Sequence, residues 1–188
     1  MSVVFTPTRH RLSVEDYHKL GEVGILTEDE RVELIEGELI DMAPIGGPHM
    51  GLVNRLTRLL VVAVGDLGVV SIQNPVTLPP HSEPQPDVTI LKPGADGASS
   101  TVPRADDVLL LIEVADTTLS YDRSTKLSLY AKAGIPEAWI VNLPSKCVEV
   151  YRDPAPAGYL ERSEAVAGSI VSPLALPTVQ LAVADLFA

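Results

Sequence analysis

The sequence predicts a mixed α/β fold built around a central sheet. Segments with helical and strand-like periodicity alternate along the chain, and Val108–Val114 is an almost unbroken run of apolar residues. Such a run is typical of a strand that is buried on both faces. The predicted order is helix, hairpin, helix, strands, buried strand, helix, buried strand, followed by antiparallel C-terminal strands. This order favours an α/β architecture with a mixed sheet flanked by helices.

Length and composition indicate a globular protein with its own core. The chain has 188 residues, of which 46% are hydrophobic and 21% are charged. One domain over residues 1–188 is expected at this length. The single cysteine, Cys147, cannot form an internal disulfide, which fits a reducing compartment. Met1–Leu20 lacks the apolar centre of a signal peptide, and Leu59–Val64 is too short to span a bilayer. We therefore expect a cytoplasmic protein without membrane association.

The first half of the chain contains two predicted helices and a hairpin. Ser13 followed by Asp16 resembles a capping box and predicts the start of a helix. Arg31–Met42 alternates apolar and polar residues around a Glu-Gly pair and predicts a β-hairpin. An apolar stripe at helical spacing predicts a helix from Met50 to about Val64.

Strands dominate the rest of the prediction. We expect strands over Val69–Ile72, Val76–Leu78, Asp87–Leu91, Val108–Val114, Ala138–Val141, Cys147–Arg152 and Tyr159–Ser163, a loop over Lys92–Asp107, a helix from about Thr125 to Ala133, two more short strands, and a terminal helical turn over Ala184–Phe187.

Glu113 is the most informative residue because it interrupts the buried apolar run. A carboxylate in a strand covered on both faces is costly unless it is paired or holds a metal. Alternatively, Glu113 lies at a strand end and reaches solvent or a salt bridge. Asp87 is similarly out of place, because aspartate is a poor strand former and follows Pro86 at the start of a predicted strand. A capping role at a turn is its simpler interpretation.

The two carboxylates together predict a cation site. If the loop Lys92–Asp107 lets the flanking strands pair, Asp87 and Glu113 converge at one end of the sheet. Two convergent carboxylates completed by waters are sufficient for Mg²⁺. Such an ion polarises a phosphoryl oxygen and supplies a hydroxide nucleophile.

A lysine follows in the next predicted helix. Lys126 near the metal would stabilise developing phosphoryl charge or orient the attacking water. Asp122 lies four residues earlier, so the alternative is a surface ion pair between the two residues.

Several other residues are weaker candidates. Glu33 and Glu36 lie three apart on the hairpin and therefore face opposite ways, so that one of them can join a site. His49 either starts the Met50 helix or belongs to the site. Arg55 and Arg58 share the exposed side of that helix, where they would contact phosphates or simply be solvated.

Charge and motifs limit the alternatives. The net charge is −11, so the protein has no general attraction for phosphates and should bind DNA weakly and with strong salt dependence. Glycine-rich phosphate loops, nucleophile elbows and zinc-spaced histidines are absent from the sequence.

Two stretches of the sequence are distinctive in combination: EPQPDV at Glu83–Val88, and Ile112–Asn142, which begins IEVADTTLSYDRSTK. With them, the sequence resembles the Uma-two family of putative restriction endonucleases, a bacterial branch of the PD-(D/E)xK nuclease superfamily. GILTEDERVELIEGELIDMAPIGGPH at Gly24–His49 and the C-terminal pieces VEVYRDP and VSPLALP also agree. The similarity thus extends over nearly the whole chain.

The resemblance implies a restriction-endonuclease-like fold and site residues. The family's PD motif corresponds to Pro86-Asp87 and its catalytic glutamate to Glu113. Many superfamily members have a lysine two residues after that glutamate, but this chain has Ala115 there. The family's substitute lysine from the next helix corresponds to Lys126. Its hairpin glutamate and histidine correspond to Glu33 and His49.

The expected function is a Mg²⁺-dependent phosphodiester hydrolase, with Mn²⁺ as the alternative ion and DNA as substrate. In this hypothesis Asp87 and Glu113 hold the metal and Lys126 is catalytic, with Glu33, His49 and Asp122 in support. A homodimer is expected because cutting two strands benefits from two sites. The alternatives are a non-catalytic binding module on the same fold and a hydrolase of small phosphoesters.

Overall fold

The computed structural model describes residues 8–27, 29–95 and 101–188. The chain forms two compact units, of which one comprises Met1–Met42 with Thr77–Pro84 and the other Ala43–Val76 with Gln85–Ala188. The prediction of one domain over residues 1–188 stays a prediction.

The first unit begins with helix α1, Val14–Glu22. Its start is the predicted capping box, because Ser13 accepts from the backbone N–H of Asp16 and the Asp16 carboxylate accepts from the N–H of Ser13. These two bonds satisfy N–H groups that have no partner within the helix.

The predicted hairpin is also confirmed in this unit. Strands β1 (Val32–Ile35) and β2 (Glu38–Asp41) pair antiparallel. Glu36 and Gly37 connect them with φ angles of 48° and 84°. Positive φ at both central residues is the geometry of a type I′ turn, whose twist matches that of the flanking strands.

The strand predicted over Val76–Leu78 is wrong. Leu78 forms only an isolated bridge with Ser82. Pro79 and Pro80 follow it, and neither proline has an N–H with which to extend a ladder.

The second unit begins with the long helix α2, Gly47–Val64. It starts three residues before the predicted position, since Gly46 is the N-cap and Pro48 lies in the first turn, where a missing N–H costs nothing. His49 therefore lies inside the helix rather than before it. The predicted apolar stripe is buried and comprises Leu52, Val53, Leu56, Leu60 and Val64.

A six-stranded mixed sheet forms the centre of this unit. Its strands are β3 Val69–Ile72, β4 Val88–Leu91, β5 Val108–Ala115, β6 Glu137–Asn142, β7 Cys147–Ala155 and β8 Gly158–Ala165. Their order across the sheet is the same as their order along the chain. Strands β5 and β6 are parallel, and all other neighbouring strands are antiparallel. The predicted fold class is confirmed.

The parallel step from β5 to β6 requires a crossover, and a broken helix provides it. It consists of α3 (Leu119–Tyr121), a π-helical turn over Asp122–Lys126 and α4 (Leu127–Lys132). The helix predicted from Thr125 thus begins earlier and is not a regular α-helix. The N–H of Leu127 donates to the carbonyl of Asp122, five residues back, which creates the wider turn.

The two faces of the sheet have different coverings. Ile112 and Val114 of β5 join α2 in the main hydrophobic core. Short elements near the C-terminus complete that core: β9 (Ile170–Val171), β10 (Leu181–Ala182) and α5 (Val183–Leu186). Because side chains alternate along a strand, Glu113 points to the opposite face, which is the face of α4.

Within the described ranges, no helix combines the length and the apolar character that a membrane crossing needs.

We predict that Gly37→Ala lowers the free energy of unfolding by about 1–3 kcal/mol, because residue 37 needs a positive φ angle. A Cβ atom there would also lie 2.5 Å from Cβ of Arg11. Gly21→Ala in α1 is the control, since its Cβ would meet nothing within 4 Å. Urea unfolding measures both variants, and equal midpoints would contradict the assigned turn.

Candidate active site

The pairing of β4 with β5 brings the two predicted carboxylates together. Val88 lies opposite Ile112 in the antiparallel register, so Asp87, one residue before β4, reaches the level of Glu113. The backbone N–H of Val114 donates to Asp87 Oδ2 at 2.9 Å. The predicted strand pairing is therefore confirmed, and it joins residues that are separated by the long Lys92–Asp107 connection.

Asp87 is held from three directions. Besides the Val114 N–H, its Oδ2 lies 3.0 Å from Nε2 of His49, which projects from the first turn of α2. The amide nitrogen of Gln73 lies 3.3 Å from Oδ1. The side chains of Asp87 and His49 keep 14% and 17% exposure, so the carboxylate remains accessible.

Gln73 follows β3 in an unfavourable backbone conformation. Its φ angle is 51°, a region that residues other than glycine seldom adopt. Its backbone N–H donates to the Asp87 carbonyl at 3.1 Å. This contact and the side-chain contact together fix the Asp87 backbone and carboxylate, and they hold Gln73 in place despite its strain.

Glu113 is buried and is held from the crossover. Only 4% of the residue is exposed. The hydroxyl of Tyr130 in α4 donates to Oε1 at 2.5 Å, and Nζ of Lys126 lies 3.2 Å from the same oxygen. Of the alternative considered for Glu113, exposure to solvent is excluded, whereas the salt bridge is present and is buried.

This environment raises the pKa of Glu113 to about 8. Burial is the main cause, because it disfavours the charged form, and the negative charges of Asp87 and Asp122 act in the same direction. The ammonium of Lys126 and the Tyr130 hydrogen bond lower the pKa but do not overcome burial. Without a further cation, the carboxyl keeps its proton at neutral pH.

The π-helical turn places Asp122 and Lys126 in the interior. They are 4% and 6% exposed, so the surface ion pair considered from their spacing is excluded. Asp122 accepts a hydrogen bond from the Thr118 hydroxyl at 2.7 Å. Insertions of this kind are frequent at functional sites.

The sequence predictions identified only part of this arrangement. Gln73 and Tyr130 were missed, although Tyr130 lies one helical turn after Lys126 in a segment that was predicted to be helical. Glu33 is buried on β1 in the first unit, and its supporting role stays a prediction. Arg55 donates a hydrogen bond to the Leu186 carbonyl at 3.4 Å. It therefore links α2 to α5 and is not simply solvated.

The donor set suits a hard divalent cation that keeps several waters. Among the described residues, no group of three or more His, Cys, Asp or Glu side chains is arranged to hold a metal. Asp87 and Glu113 provide carboxylate oxygens, which Mg²⁺ and Mn²⁺ prefer, and one or two carboxylates are enough for Mg²⁺. A cation there would also stabilise the ionised form of Glu113 and so lower its raised pKa.

We predict that the metal-free protein loses stability as the pH rises from about 5 to 8, through the ionisation of Glu113. The folded-state pKa of about 8 exceeds the ordinary value of 4.5, so the folded state holds the proton that the unfolded chain loses. Glu113→Gln should therefore become progressively more stable relative to the wild type across this window. Urea unfolding midpoints of both proteins, measured in EDTA at several pH values between 5 and 8, would show this change in relative stability.

The control is Asp106→Asn, an exposed carboxylate in the same unit. The difference in urea midpoint between this variant and the wild type should stay constant between pH 5 and 8. Parallel stability curves for Glu113→Gln and wild type would contradict the raised pKa.

Comparisons with known proteins identify the fold and the family of this chain. The crystal structure of a putative nuclease belonging to DUF820 from Anabaena variabilis ATCC 29413 is similar, with a TM-score of 0.70 at 18% sequence identity. The similarity covers 94% of this chain and 97% of the other and establishes a shared fold. A search of curated proteins finds no match. The model of the Uma2 family, described as putative restriction endonuclease, matches residues 14–184. The chain belongs to the Uma2 family.

Proposed function

We propose that this protein is a metal-dependent phosphodiester hydrolase that acts on DNA as an endonuclease. The observation that carries the proposal is the convergence of Asp87, Glu113 and Lys126 at one point of the sheet. Membership of a family described as putative restriction endonucleases supports a nuclease-like activity.

Asp87 and Glu113 are the proposed metal ligands, with Mg²⁺ as the ion and Mn²⁺ as its substitute. When bound, such an ion polarises a phosphoryl oxygen and lowers the pKa of a coordinated water. The protein's part is to fix the two carboxylates. His49 and Gln73 orient Asp87, while Tyr130 holds Glu113.

Lys126 is the proposed catalytic cation. Its side chain is 8% exposed and its ammonium group lies beside Glu113, so it acts in surroundings with little water. Charge that develops on the phosphoryl oxygens is stabilised strongly by a fixed cation in such an environment. The same ammonium lowers the pKa of Glu113 and thereby favours the form that binds metal.

The charge of the protein limits how it can bind DNA. A net charge of −11 disfavours general attraction to DNA, so binding must rely on local contacts and on the metal. A homodimer would allow both strands of a duplex to be cut, and we include it in the proposal on that mechanistic ground.

We predict that the wild type nicks plasmid DNA at low salt with Mg²⁺ or Mn²⁺, whereas Asp87→Asn and Glu113→Gln are folded but inactive. Each substitution keeps the side-chain shape and removes a negatively charged ligand. Asp106→Asn should keep wild-type activity. Agarose gels report cleavage, and the increase in melting temperature on adding Mn²⁺ reports metal binding.

The same assay separates the alternatives. Cleavage of a chromogenic phosphodiester without plasmid nicking would replace DNA by a small phosphoester as substrate. If the wild type neither cleaves any substrate nor is stabilised by metal, the chain is a binding module on a nuclease fold, and the proposal is wrong.

We predict that Lys126→Gln lowers kcat by about 100-fold or more at saturating Mn²⁺ while metal-dependent stabilisation at pH 8.5 is kept. A high pH is needed because removing Lys126 raises the pKa of Glu113 further. If the variant loses both its activity and its metal-dependent stabilisation at pH 8.5, Lys126 has a structural role instead.

A further inference from the structure

A second polar cluster lies on the sheet face that carries Glu113. Glu149 of β7 is fully buried, yet two arginines converge on it. Nε of Arg123 donates to Oε2 at 3.0 Å and Nη2 of Arg123 donates to Oε1 at 2.5 Å, while Nη2 of Arg162 lies 3.3 Å from Oε2. The Tyr151 hydroxyl and the Asn142 amide also donate to this carboxylate. Glu149 is thus an anchor that holds both guanidinium groups.

The register of the sheet fixes how far this cluster lies from the candidate active site. Glu113 is paired with Ile140, and Ile140 is paired with Glu149. The three residues form one cross-strand row, so Glu149 lies two strand spacings, or about 10 Å, from Glu113. Arg123 belongs to the π-helical turn that also contains Lys126. The anchored arginines and the proposed catalytic lysine therefore lie on one side of one sheet.

Both arginines keep part of their surface in solvent. The side chain of Arg123 is 41% exposed and that of Arg162 is 52% exposed. Arg123 uses two of its five donors on Glu149, and the planar guanidinium presents the others in fixed directions. The guanidinium of Arg162 lies 5.8 Å from the centre of the Tyr151 ring, which further restrains it.

The charges in this cluster favour an anion. Two guanidinium groups share the buried carboxylate of Glu149, so that negative charge is out of solvent while both positive groups reach solvent. Glu149 stays ionised, because its arginine, tyrosine and asparagine hydrogen bonds lower its pKa to about 2 despite burial. Glu164, which is half exposed, lies 4.0 Å from Nη2 of Arg162, so the four side chains are formally neutral and an anion has to compete with Glu164 for Arg162.

A comparable pair on the other face shows a different environment. Arg152 donates to buried Glu137 at 2.8 Å, and it also donates to the Ser172 carbonyl. One arginine there balances one carboxylate, and Glu137 also accepts from the Leu174 N–H and the Trp139 indole. That pair joins the C-terminal segment to the sheet and leaves no excess charge.

We propose that Arg123 and Arg162 bind a second phosphate of the same nucleic-acid strand that is cut at Asp87 and Glu113. The proposal rests on the proposed function, because it takes the site near Glu113 as the position of the scissile phosphate. A separation of two strand spacings, about 10 Å, places the arginines within reach of a phosphate close to the scissile one on the same strand. The arginines therefore bind a phosphate near the cut and set the direction of the strand.

The test is oligonucleotide binding without cleavage. A fluorescein-labelled single-stranded 12-mer is titrated in Ca²⁺ and its anisotropy is measured at 25–200 mM salt. Arg123→Gln and Arg162→Gln are each expected to weaken binding about tenfold at low salt, since each removes a charged hydrogen bond. Each should also reduce the slope of log affinity against log salt by about 0.7.

Two further variants sharpen the test. Arg152→Gln removes an arginine from the matched pair on the other face, and it should leave the affinity and the salt slope unchanged. Glu164→Gln should increase affinity, because it removes the neighbouring negative charge. Should Arg123→Gln fail to fold, Arg162→Gln still decides the matter, since Arg123 continues to neutralise Glu149 in that variant.

The outcomes separate this inference from the proposed nuclease activity. Arginine-dependent oligonucleotide binding by a protein that cleaves nothing would retain the phosphate site and reject the nuclease. Plasmid cleavage with unchanged affinity and salt slope in both arginine variants would retain the nuclease and overturn the phosphate site. Equal weakening by Arg152→Gln would also overturn it, because the effect would then be general destabilisation.

Discussion

The burial of Glu113 in the middle of β5 is the constraint around which the second unit is arranged. A carboxyl group in a strand covered on both faces needs hydrogen-bond partners from the element that packs over it. The crossover supplies them through Tyr130 and Lys126. Antiparallel pairing with β4 then places Asp87 at the same level, where its negative charge opposes ionisation of Glu113.

Several energetically unfavourable features coincide at this site. Glu113 has a raised pKa, Gln73 has a positive φ angle beside Asp87, and the crossover helix contains a π-helical turn. An apolar residue in place of Glu113, a glycine in place of Gln73 and a regular α-helix in the crossover would each remove one of these costs. Strain and perturbed pKa values that coincide in this way are typical of functional sites, where the surrounding structure compensates for them.

The two faces of the central sheet serve different purposes. One face packs against α2 and the C-terminal elements and is mainly aliphatic, with Trp139 fully buried in it. The other face carries a cross-strand row in which Asp87, Glu113 and Glu149 are acidic and Ile140, between the two glutamates, is apolar. Because alternation along each strand separates the faces, a chemical site is accommodated without breaking the hydrophobic core.

The sequence by itself determined most of the helices and strands and drew attention to the two acidic residues. The buried apolar run predicted β5, and Glu113 and Asp87 were recognisable because each contradicts the local pattern of its strand. Periodicity and propensity are local properties, so they are visible in one dimension. Tertiary structure alone decided the rest. The partners Gln73 and Tyr130, the π-helical turn that buries Lys126, and the row that joins Glu113 to Glu149 all depend on strand register and on packing between distant segments, which no local pattern encodes.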